Sequence, residues 1–320
     1  MATNYSEPLN KGDVAASLNA STLPSYITTK ILESLGGEVF VNEVNSDFKT
    51  NDLRGNDLVL VNQAGIMDLS FISKADIKDL DALVFTTNEN VNFTLSGDNT
   101  LSFKGVVTTN GGDDTINLNS IMGVTVSSGY GNDSVNTGAG NDTVFAGAGN
   151  DTVFAGEGNN YIKTGAGNDT VLTGTGNDTV FAGAGDDIIN TGAGNDSVST
   201  GSGNDSVTTG DGNDTVYVGS GNDSVNTGDG MDIVKLAAGF SGNASLNGGA
   251  GAPDTLDLSH VVITDVVKND AVFTITLDDT SVITATNFGT FIYDSSTGDV
   301  DGEIVVIVGV NQFDAHNFSG

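Results

Sequence analysis

The chain has 320 residues, and its 42 acidic and 10 basic side chains give a formal net charge of −32. This charge disfavours nucleic acids and anionic membranes as direct partners and favours divalent cations. Cysteine is absent, which excludes disulfides and thiolate metal sites. No apolar stretch is long enough for membrane insertion, and the first residues lack the basic and apolar regions of a cleavable signal peptide.

Residues 1–90 predict a small mixed domain, or a cap over the end of the structure that follows. Apolar residues at helical spacing before a glycine indicate a helix, and alternating apolar residues indicate strands. An open sheet end needs such a cover. The predicted helices are Ser25–Gly36 and Ser73–Leu80, and the predicted strands are Glu38–Val44, Asp57–Val61 and Ala82–Phe85.

Residues 91–127 alternate short strand and turn patterns, which predicts the start of a β-solenoid. The segment Asn110–Leu118 is a degenerate copy of the unit that follows, with Asp114 at its sixth position. Asp114 lies nineteen residues before Asp133, one more than two units of nine. The sequence therefore predicts an insertion between them.

Residues 128–236 contain twelve copies of a nine-residue unit in strict register, such as Thr137-Gly-Ala-Gly-Asn-Asp-Thr-Val-Phe145. A fixed short period indicates a stack of like units. The two glycines, the Asn and the Asp favour a tight turn, and the last three residues favour a short strand. The eighth position is Val or Ile in every copy, so it should face inward. Two units would then form one coil of a parallel β-roll.

The sixth position carries an aspartate in eleven copies and Asn160 in one. Loops on the same side should stack about 4.8 Å apart, which predicts two columns of side chains. Carboxylates at that spacing repel each other unless a cation intervenes, and carboxylate and carbonyl oxygens in irregular loops suit Ca²⁺ better than Mg²⁺. One column holds Asp133, Asp151, Asp169, Asp187, Asp205 and Asp223; the other holds Asp142, Asn160, Asp178, Asp196, Asp214 and Asp232.

The unit resembles the RTX, or hemolysin-type, calcium-binding nonapeptide repeat, with the order glycine-glycine-x-glycine-x-aspartate-x-aliphatic-x. The resemblance covers about a third of the chain. It implies a secreted bacterial β-roll that binds several Ca²⁺ ions through the sixth-position aspartates and loop carbonyls. Asn160 and Asp114 would contribute weaker sites, and residues 91–127 would be poor in calcium. The alternative is a metal-free β-solenoid whose aspartates only form turns. The first glycine of the motif is replaced here by residues such as Thr137, Ala146 and Ser128.

Residues 237–320 predict a β-rich C-terminal cap. The register breaks at Ala237–Gly251, and a near-repeat, Gly248–Leu256, carries Asp254 as a further weak site. From Pro253 onward, apolar runs between turn clusters predict an antiparallel sheet. The resemblance implies export through a type I channel, with a C-terminal secretion signal that has no firm motif. The fold class is thus all-β, a parallel β-roll between a mixed N-terminal cap and a β-rich C-terminal cap.

No catalytic constellation is evident, and the chain is predicted not to be an enzyme. The only histidines are His260 and His316, and neither a His-Glu-x-x-His nor a Gly-x-Ser-x-Gly motif is present. Almost all Gly-x-Gly triplets belong to the nine-residue units. A secreted RTX enzyme is therefore the least favoured interpretation.

Four apolar residues at the ninth position, Phe145, Phe154, Leu172 and Phe181, should lie on the outside of the roll. The N-terminal region could pack over them, or they could contact a partner, because exposed apolar patches mark interaction sites. We expect a structural protein that self-assembles, as a homo-oligomer or polymer, on the cell surface or in the extracellular matrix. The alternative is a calcium-dependent adhesin or ligand-binding module, with a cell-surface polysaccharide as its candidate partner.

Overall fold

The computed structural model describes residues 40–44, 57–61, 65–68, 80–85, 87–95, 103–294 and 304–308. Within these residues every regular element is a β-strand, so the predicted all-β class and the parallel β-roll are confirmed. The chain divides into two compact units, Met1–Gly165 and Ala166–Gly320, which are described separately.

The strands of the first unit alternate between two parallel sheets. One sheet has the order β1-β2-β4-β6-β8-β10-β12, and the other has the order β3-β5-β7-β9-β11. The strands are β1 (Phe40–Val44), β2 (Asp57–Val61), β3 (Gly65–Asp68), β4 (Leu80–Phe85), β5 (Val91–Thr94), β6 (Val106–Thr108), β7 (Thr115–Ser120), β8 (Thr125–Tyr130), β9 (Ser134–Gly138), β10 (Thr143–Ala148), β11 (Thr152–Gly156) and β12 (Tyr161–Ala166).

Each coil of the roll consists of two repeats, as the period predicts. Val144 of β10 pairs with Val126 of β8, eighteen residues earlier, and Val153 of β11 pairs with Val135 of β9. These valines are fully buried, whereas the residues beside Val135, Val144 and Val153 are partly or fully exposed. The aliphatic side chains of the eighth position therefore form the core between the two sheets, and each buried valine contributes roughly 1.5–3 kcal/mol.

The glycines of the turns are required by both backbone conformation and space. Gly147 has a φ of 119°, which residues with a side chain rarely adopt. A Cβ atom at Gly147 would also overlap the carbonyl oxygen of Gly129 in the preceding coil. Coils stack this closely only because the turn has no side chain at that position.

The insertion predicted between Asp114 and Asp133 lies in β7. Asn117 pairs with Asn136 at an offset of nineteen residues, but Ser120 pairs with Gly138 at an offset of eighteen. Asn119, between them, adopts a positive φ of 43°. A single-residue bulge thus restores the register before the strict repeats begin.

The second unit has the same architecture, with longer and less regular coils at its end. One sheet has the order β14-β16-β18-β20-β23-β27-β28, the other β24-β25-β26-β21-β19-β17-β15-β13, and β22 pairs with β19. The strands are β13 (Thr170–Thr173), β14 (Thr179–Ala184), β15 (Ile188–Ala193), β16 (Ser197–Ser202), β17 (Ser206–Asp211), β18 (Thr215–Val218), β19 (Asp223–Gly230), β20 (Ile233–Leu236), β21 (Ala244–Asn247), β22 (Ala250–Gly251), β23 (Asp254–Leu258), β24 (Ile263–Asn269), β25 (Val272–Leu277), β26 (Val282–Thr286), β27 (Phe288–Asp294) and β28 (Ile304–Val308).

The break in register after Leu236 is an enlarged coil and not the end of the roll. Val225 pairs in parallel with Leu246, twenty-one residues later, and Val234 pairs in parallel with Leu256, twenty-two residues later. The added residues form turns outside the strands, so the core positions stay aligned. The roll therefore continues through β21 and β23.

The C-terminal cap is mixed, whereas the sequence suggested a purely antiparallel sheet. Strands β26 and β27 pair in parallel with β21 and β23. The antiparallel pairs are β24 with β25, β25 with β26, and β27 with β28. Aromatic packing fills this end: the ring centroids of Phe273 and Phe291 are 4.8 Å apart, and those of Phe288 and Phe291 are 6.3 Å apart.

The two helices expected near the N-terminus, Ser25–Gly36 and Ser73–Leu80, fall outside the described residues, apart from Leu80 at the start of β4. The described strands β1, β2 and β4 pair in parallel, so they extend the solenoid pattern toward the N-terminus. The domain boundaries drawn from the sequence stay predictions. In the part of the chain that the structure describes, no helix could span a membrane.

Candidate metal centre

The sixth residue of each repeat lies where a turn ends and a strand begins, and its side chain is buried. In the first unit, each of these side chains accepts a hydrogen bond, through Oδ1, from the backbone N–H of the equivalent residue one coil earlier. The donor–acceptor distances are 2.7–3.0 Å, and the pairs are Val91 to Asp114, Asp114 to Asp133, Asp133 to Asp151, Val124 to Asp142 and Asp142 to Asn160.

The second unit has the same two series of hydrogen bonds between the sixth residues of successive coils, which we call ladders. The N–H to Oδ1 distances are 2.8–2.9 Å throughout. The pairs are Asp169 to Asp187, Asp187 to Asp205, Asp205 to Asp223, Asp178 to Asp196, Asp196 to Asp214, Asp214 to Asp232 and Asp232 to Asp254. The structure therefore places every candidate ligand in a ladder, including Asp114 and Asp254, which sequence reasoning ranked as weaker.

The second carboxylate oxygen, Oδ2, has a different environment. In many of these aspartates it is buried and accepts no hydrogen bond within the described part of the chain, although buried polar atoms are nearly always paired. An oxygen of this kind needs a proton or a cation. The atoms concerned include Oδ2 of Asp114, Asp133, Asp142, Asp187, Asp196, Asp205, Asp214, Asp223 and Asp232.

Burial also changes the acidity of the ladder. It raises the pKa of Asp133 and Asp187 to about 7, because desolvation disfavours the charged form and neighbouring carboxylates add to the effect. Burial likewise raises the pKa of Asp142, Asp214 and Asp223 to about 6. Near neutral pH, these groups are therefore poised to exchange a proton for a metal cation.

The ladders end where the sixth position loses its carboxylate. At the N-terminal side, Val91 and Val124 occupy this position and are buried. In the enlarged coil, Ala244 pairs with Asp223, and the Asp223 N–H donates to the backbone carbonyl of Asn243 at 2.9 Å instead. Apolar residues therefore occupy the sixth position at these three ends of the aspartate ladders.

The donor set favours a hard cation. Among the described residues, no group of three or more His, Cys, Asp or Glu side chains surrounds a common point. A cation bound to an Oδ2 atom would therefore take its remaining protein ligands from backbone carbonyls of the turns. Oxygen-only coordination by carboxylates and carbonyls is the chemistry of Ca²⁺ sites.

Comparison with known protein families agrees with this geometry. The family model of the RTX calcium-binding nonapeptide repeat, which spans four copies, matches residues 127–162, 163–198 and 199–234. Residues 127–234 are RTX calcium-binding repeats. No curated protein matches the chain. The resemblance drawn from the motif is confirmed for this segment, and calcium binding is the property that its repeats share.

A second ladder on the RTX turns was missed by sequence reasoning. The fifth residue, usually Asn, uses its Oδ1 to accept the backbone N–H of the fifth residue one coil later. Asn132 accepts from Asn150, Asn141 from Asn159, and Asn195 from Asn213, at 2.7–2.8 Å. This ladder runs opposite to that of the sixth position. The near-invariant Asn before each Asp was the available signal.

The replacement of the first motif glycine by Thr also has a structural reason. The Thr191 hydroxyl donates to the carbonyl of Thr209 at 3.2 Å, and Thr209 donates to Thr227 at 2.8 Å. These side chains are fully buried. Where the first position is Thr, as at Thr191 and Thr209, its hydroxyl group therefore links successive coils through the backbone carbonyl of the next coil.

The four interface candidates are divided between the two sheets. In the first unit, Phe145 lies on β10 and Phe154 on β11, which belong to different sheets. In the second unit, Leu172 lies on β13 and Phe181 on β14, again on different sheets. Phe154 and Phe181 are 42 % and 40 % exposed, whereas Phe145 and Leu172 are half-buried. The four side chains thus supply one residue to each outer face of each unit, and their role as an interface stays a prediction.

Proposed function

We propose that the chain is an extracellular structural protein that folds when Ca²⁺ binds to its RTX repeats and then self-assembles. The observation that carries the first part is the array of buried Oδ2 atoms that lack a hydrogen-bond donor. With a net charge of −32, the compact state requires neutralisation, and Ca²⁺ provides it at the positions where the carboxylates are most crowded.

The proposed location follows from the concentration of the ion. Metal binding to a site that exists only in the folded state contributes to folding free energy. A chain of this type would stay unfolded where Ca²⁺ is scarce and would fold where Ca²⁺ is abundant, which is outside the cell. RTX repeat proteins are typically secreted, and we propose the same for this chain, through a type I channel.

Self-assembly is supported by the outward aromatic residues. Phe154 in the first unit and Phe181 and Tyr217 in the second are exposed, on strands that should otherwise present polar residues to solvent. Such side chains are those enriched at protein interfaces. Fibres or sheets of this protein would place them against a second copy.

The test is circular dichroism combined with light scattering on the full chain, first with a chelator and then during Ca²⁺ titration, with Mg²⁺ as control. The proposal expects β signal and particle size to rise with Ca²⁺ alone. A chain that is fully folded in chelator would refute calcium-dependent folding. A rise in β signal with a monomeric size would refute self-assembly only.

A matched pair of variants tests the interface. Phe154→Ser removes an exposed aromatic side chain, and Asn190→Ser alters an exposed residue at the same repeat position. We expect Phe154→Ser to reduce the particle size at saturating Ca²⁺ and Asn190→Ser to leave it unchanged, with the same calcium-induced β signal in both. Equal particle sizes in the two variants would refute the role of Phe154.

A second candidate function is calcium-dependent ligand binding, and one observation favours it. A shallow cavity of about 200 Å³ on the first unit is lined by Phe145, Tyr161 and Lys163, among others. The Phe145 and Tyr161 rings are 6.0 Å apart. Aromatic rings beside a charged group suit a polysaccharide, and glycan binding that Tyr161→Ala abolishes would support this candidate.

A further inference from the structure

Asn160 differs from the aspartates that occupy the same position in the other RTX repeats. Its Oδ1 atom accepts the backbone N–H of Asp142 at 3.0 Å, as the aspartate Oδ1 atoms do for their own neighbours. Its Nδ2 atom donates to the carbonyl oxygens of Gly156 at 3.2 Å and Gly158 at 3.0 Å. The side chain is only 2 % exposed, so these bonds are formed in the interior.

Only one orientation of the amide fits. If Oδ1 and Nδ2 were exchanged, the oxygen would face two carbonyl oxygens and the nitrogen would face an N–H group. The turn therefore presents two acceptors to whatever atom occupies the Nδ2 position. In the Asn160 repeat that atom is a donor, and the turn is satisfied by the chain itself.

The aspartate repeats have an oxygen at the equivalent position. The ladder bond of Asp133 to Asp151 has the same form as that of Asp142 to Asn160, so the side chains share one orientation. The Oδ2 atoms of Asp133 and Asp142 accept no hydrogen bond within the described residues. An oxygen that faces carbonyl oxygens requires a positive charge between them.

We infer that the side-chain amide of Asn160 takes the place of a Ca²⁺ ion in its own turn. Its amide group closes its own turn without Ca²⁺, and this turn takes no ion, so the repeat at residues 155–163 is ordered before the aspartate repeats are loaded. The inference rests on the proposed calcium-dependent folding of the other repeats. It also differs from the expectation that Asn160 contributes a weakened site.

The first test is the number of Ca²⁺ ions bound by the full chain, measured by equilibrium dialysis. Asn160→Asp should bind one more ion per chain than the unaltered protein, because it restores the missing oxygen. Asn159→Asp is the control, since it adds the same charge one residue away on an exposed side chain; its ion count should not rise. Equal counts in Asn160→Asp and the unaltered chain would overturn the inference.

The second test is hydrogen exchange in calcium-free buffer, followed by mass spectrometry. Peptides from residues 155–163 should exchange more slowly than those from residues 200–208, an aspartate repeat that does not contact Asn160, and Asn160→Asp should remove this protection until Ca²⁺ is added. Equally fast exchange of both peptides in the unaltered chain would overturn the inference. A chain that binds no Ca²⁺ at all would instead refute the proposed function, so the two failures are distinguishable.

Discussion

The backbone N–H of Asp187 donates to Oδ1 of Asp205 in the next coil at 2.9 Å. Asp205 in turn donates its own N–H to Asp223 at 2.9 Å. Each aspartate thus uses its backbone toward one neighbour and its carboxylate toward the other. A substitution at one sixth position therefore alters hydrogen bonds to two neighbouring coils. Its effect on stability depends on whether the loss of Oδ1, which accepts the ladder bond, or of Oδ2, the proposed cation ligand, is the more costly.

We expect Asp205→Ala to destabilise the calcium-saturated protein. It leaves the buried N–H of Asp187 without its acceptor, which costs about 1–3 kcal/mol, and it removes a proposed calcium ligand. Urea unfolding at saturating Ca²⁺ measures the effect. Asp211→Ala, at an exposed position, should change stability by less than about 0.5 kcal/mol. Equal losses in the two variants would contradict the role of the ladder.

In calcium-free buffer the chain should gain β structure as pH falls. The pKa values of Asp133 and Asp187 in the folded state are raised from 3.8 to about 7, so protonation favours the fold. This contribution is complete below the unfolded pKa of 3.8 and is lost as pH rises toward the folded pKa of about 7. Calcium affinity should change in the opposite direction, since protons compete for the same oxygens. Circular dichroism from pH 8 down to 4.5 in calcium-free buffer tests this, and a β signal that does not rise as pH falls would contradict it.

Gly147→Ala and Gly239→Ala separate steric contact from backbone strain. Both residues have positive φ, 119° and 83°. A Cβ at Gly147 would overlap the Gly129 carbonyl, whereas Gly239 has nothing within 4 Å of that position. Gly239→Ala should cost about 1 kcal/mol, and Gly147→Ala should cost roughly 1–3 kcal/mol more. Unfolding free energies at saturating Ca²⁺ provide the comparison; similar values would show that coils can separate to admit a methyl group.

Thr209→Val tests the internal hydroxyl ladder. The Thr209 hydroxyl donates to the Thr227 carbonyl at 2.8 Å, so its loss should cost about 1 kcal/mol. Thr208→Val is the control, because its side chain is exposed on the outer face and should change stability by less than about 0.5 kcal/mol. Chemical denaturation of both variants measures the difference. A stabilised Thr209→Val variant would show that the ladder matters less than the added apolar contact.

The strict period was sufficient to predict the roll and its core. Spacing alone placed Val135 and Val144 inside and aligned the sixth positions, because an error of one residue would turn an entire strand over. The motif assigned Asp114 and Asp254 to sixth positions, but the period could not align them with the other aspartates, since both lie beyond insertions. Their positions depend on the bulge at Asn119 and on the enlarged coil, which local sequence does not specify.

The hydrogen bonds between coils could not be predicted from the sequence, for a different reason. Thr191 and Asn150 are ordinary turn residues, and both fit a turn without any partner. Their ladders form only when the equivalent residue of a neighbouring coil is stacked above or below, so they are a property of the assembled roll. The repeat revealed which residues recur, but not which of their atoms meet.

The offset of eighteen residues between paired strands sets the rule by which such a protein can change its length. Removal of two repeats would keep every remaining residue on its own sheet, and the glycine turns would stack as before. Removal of one repeat would transfer all later residues to the opposite sheet, exchanging the outward side chains of the two surfaces. Tandem duplication in steps of two would therefore lengthen the roll without altering what either surface displays.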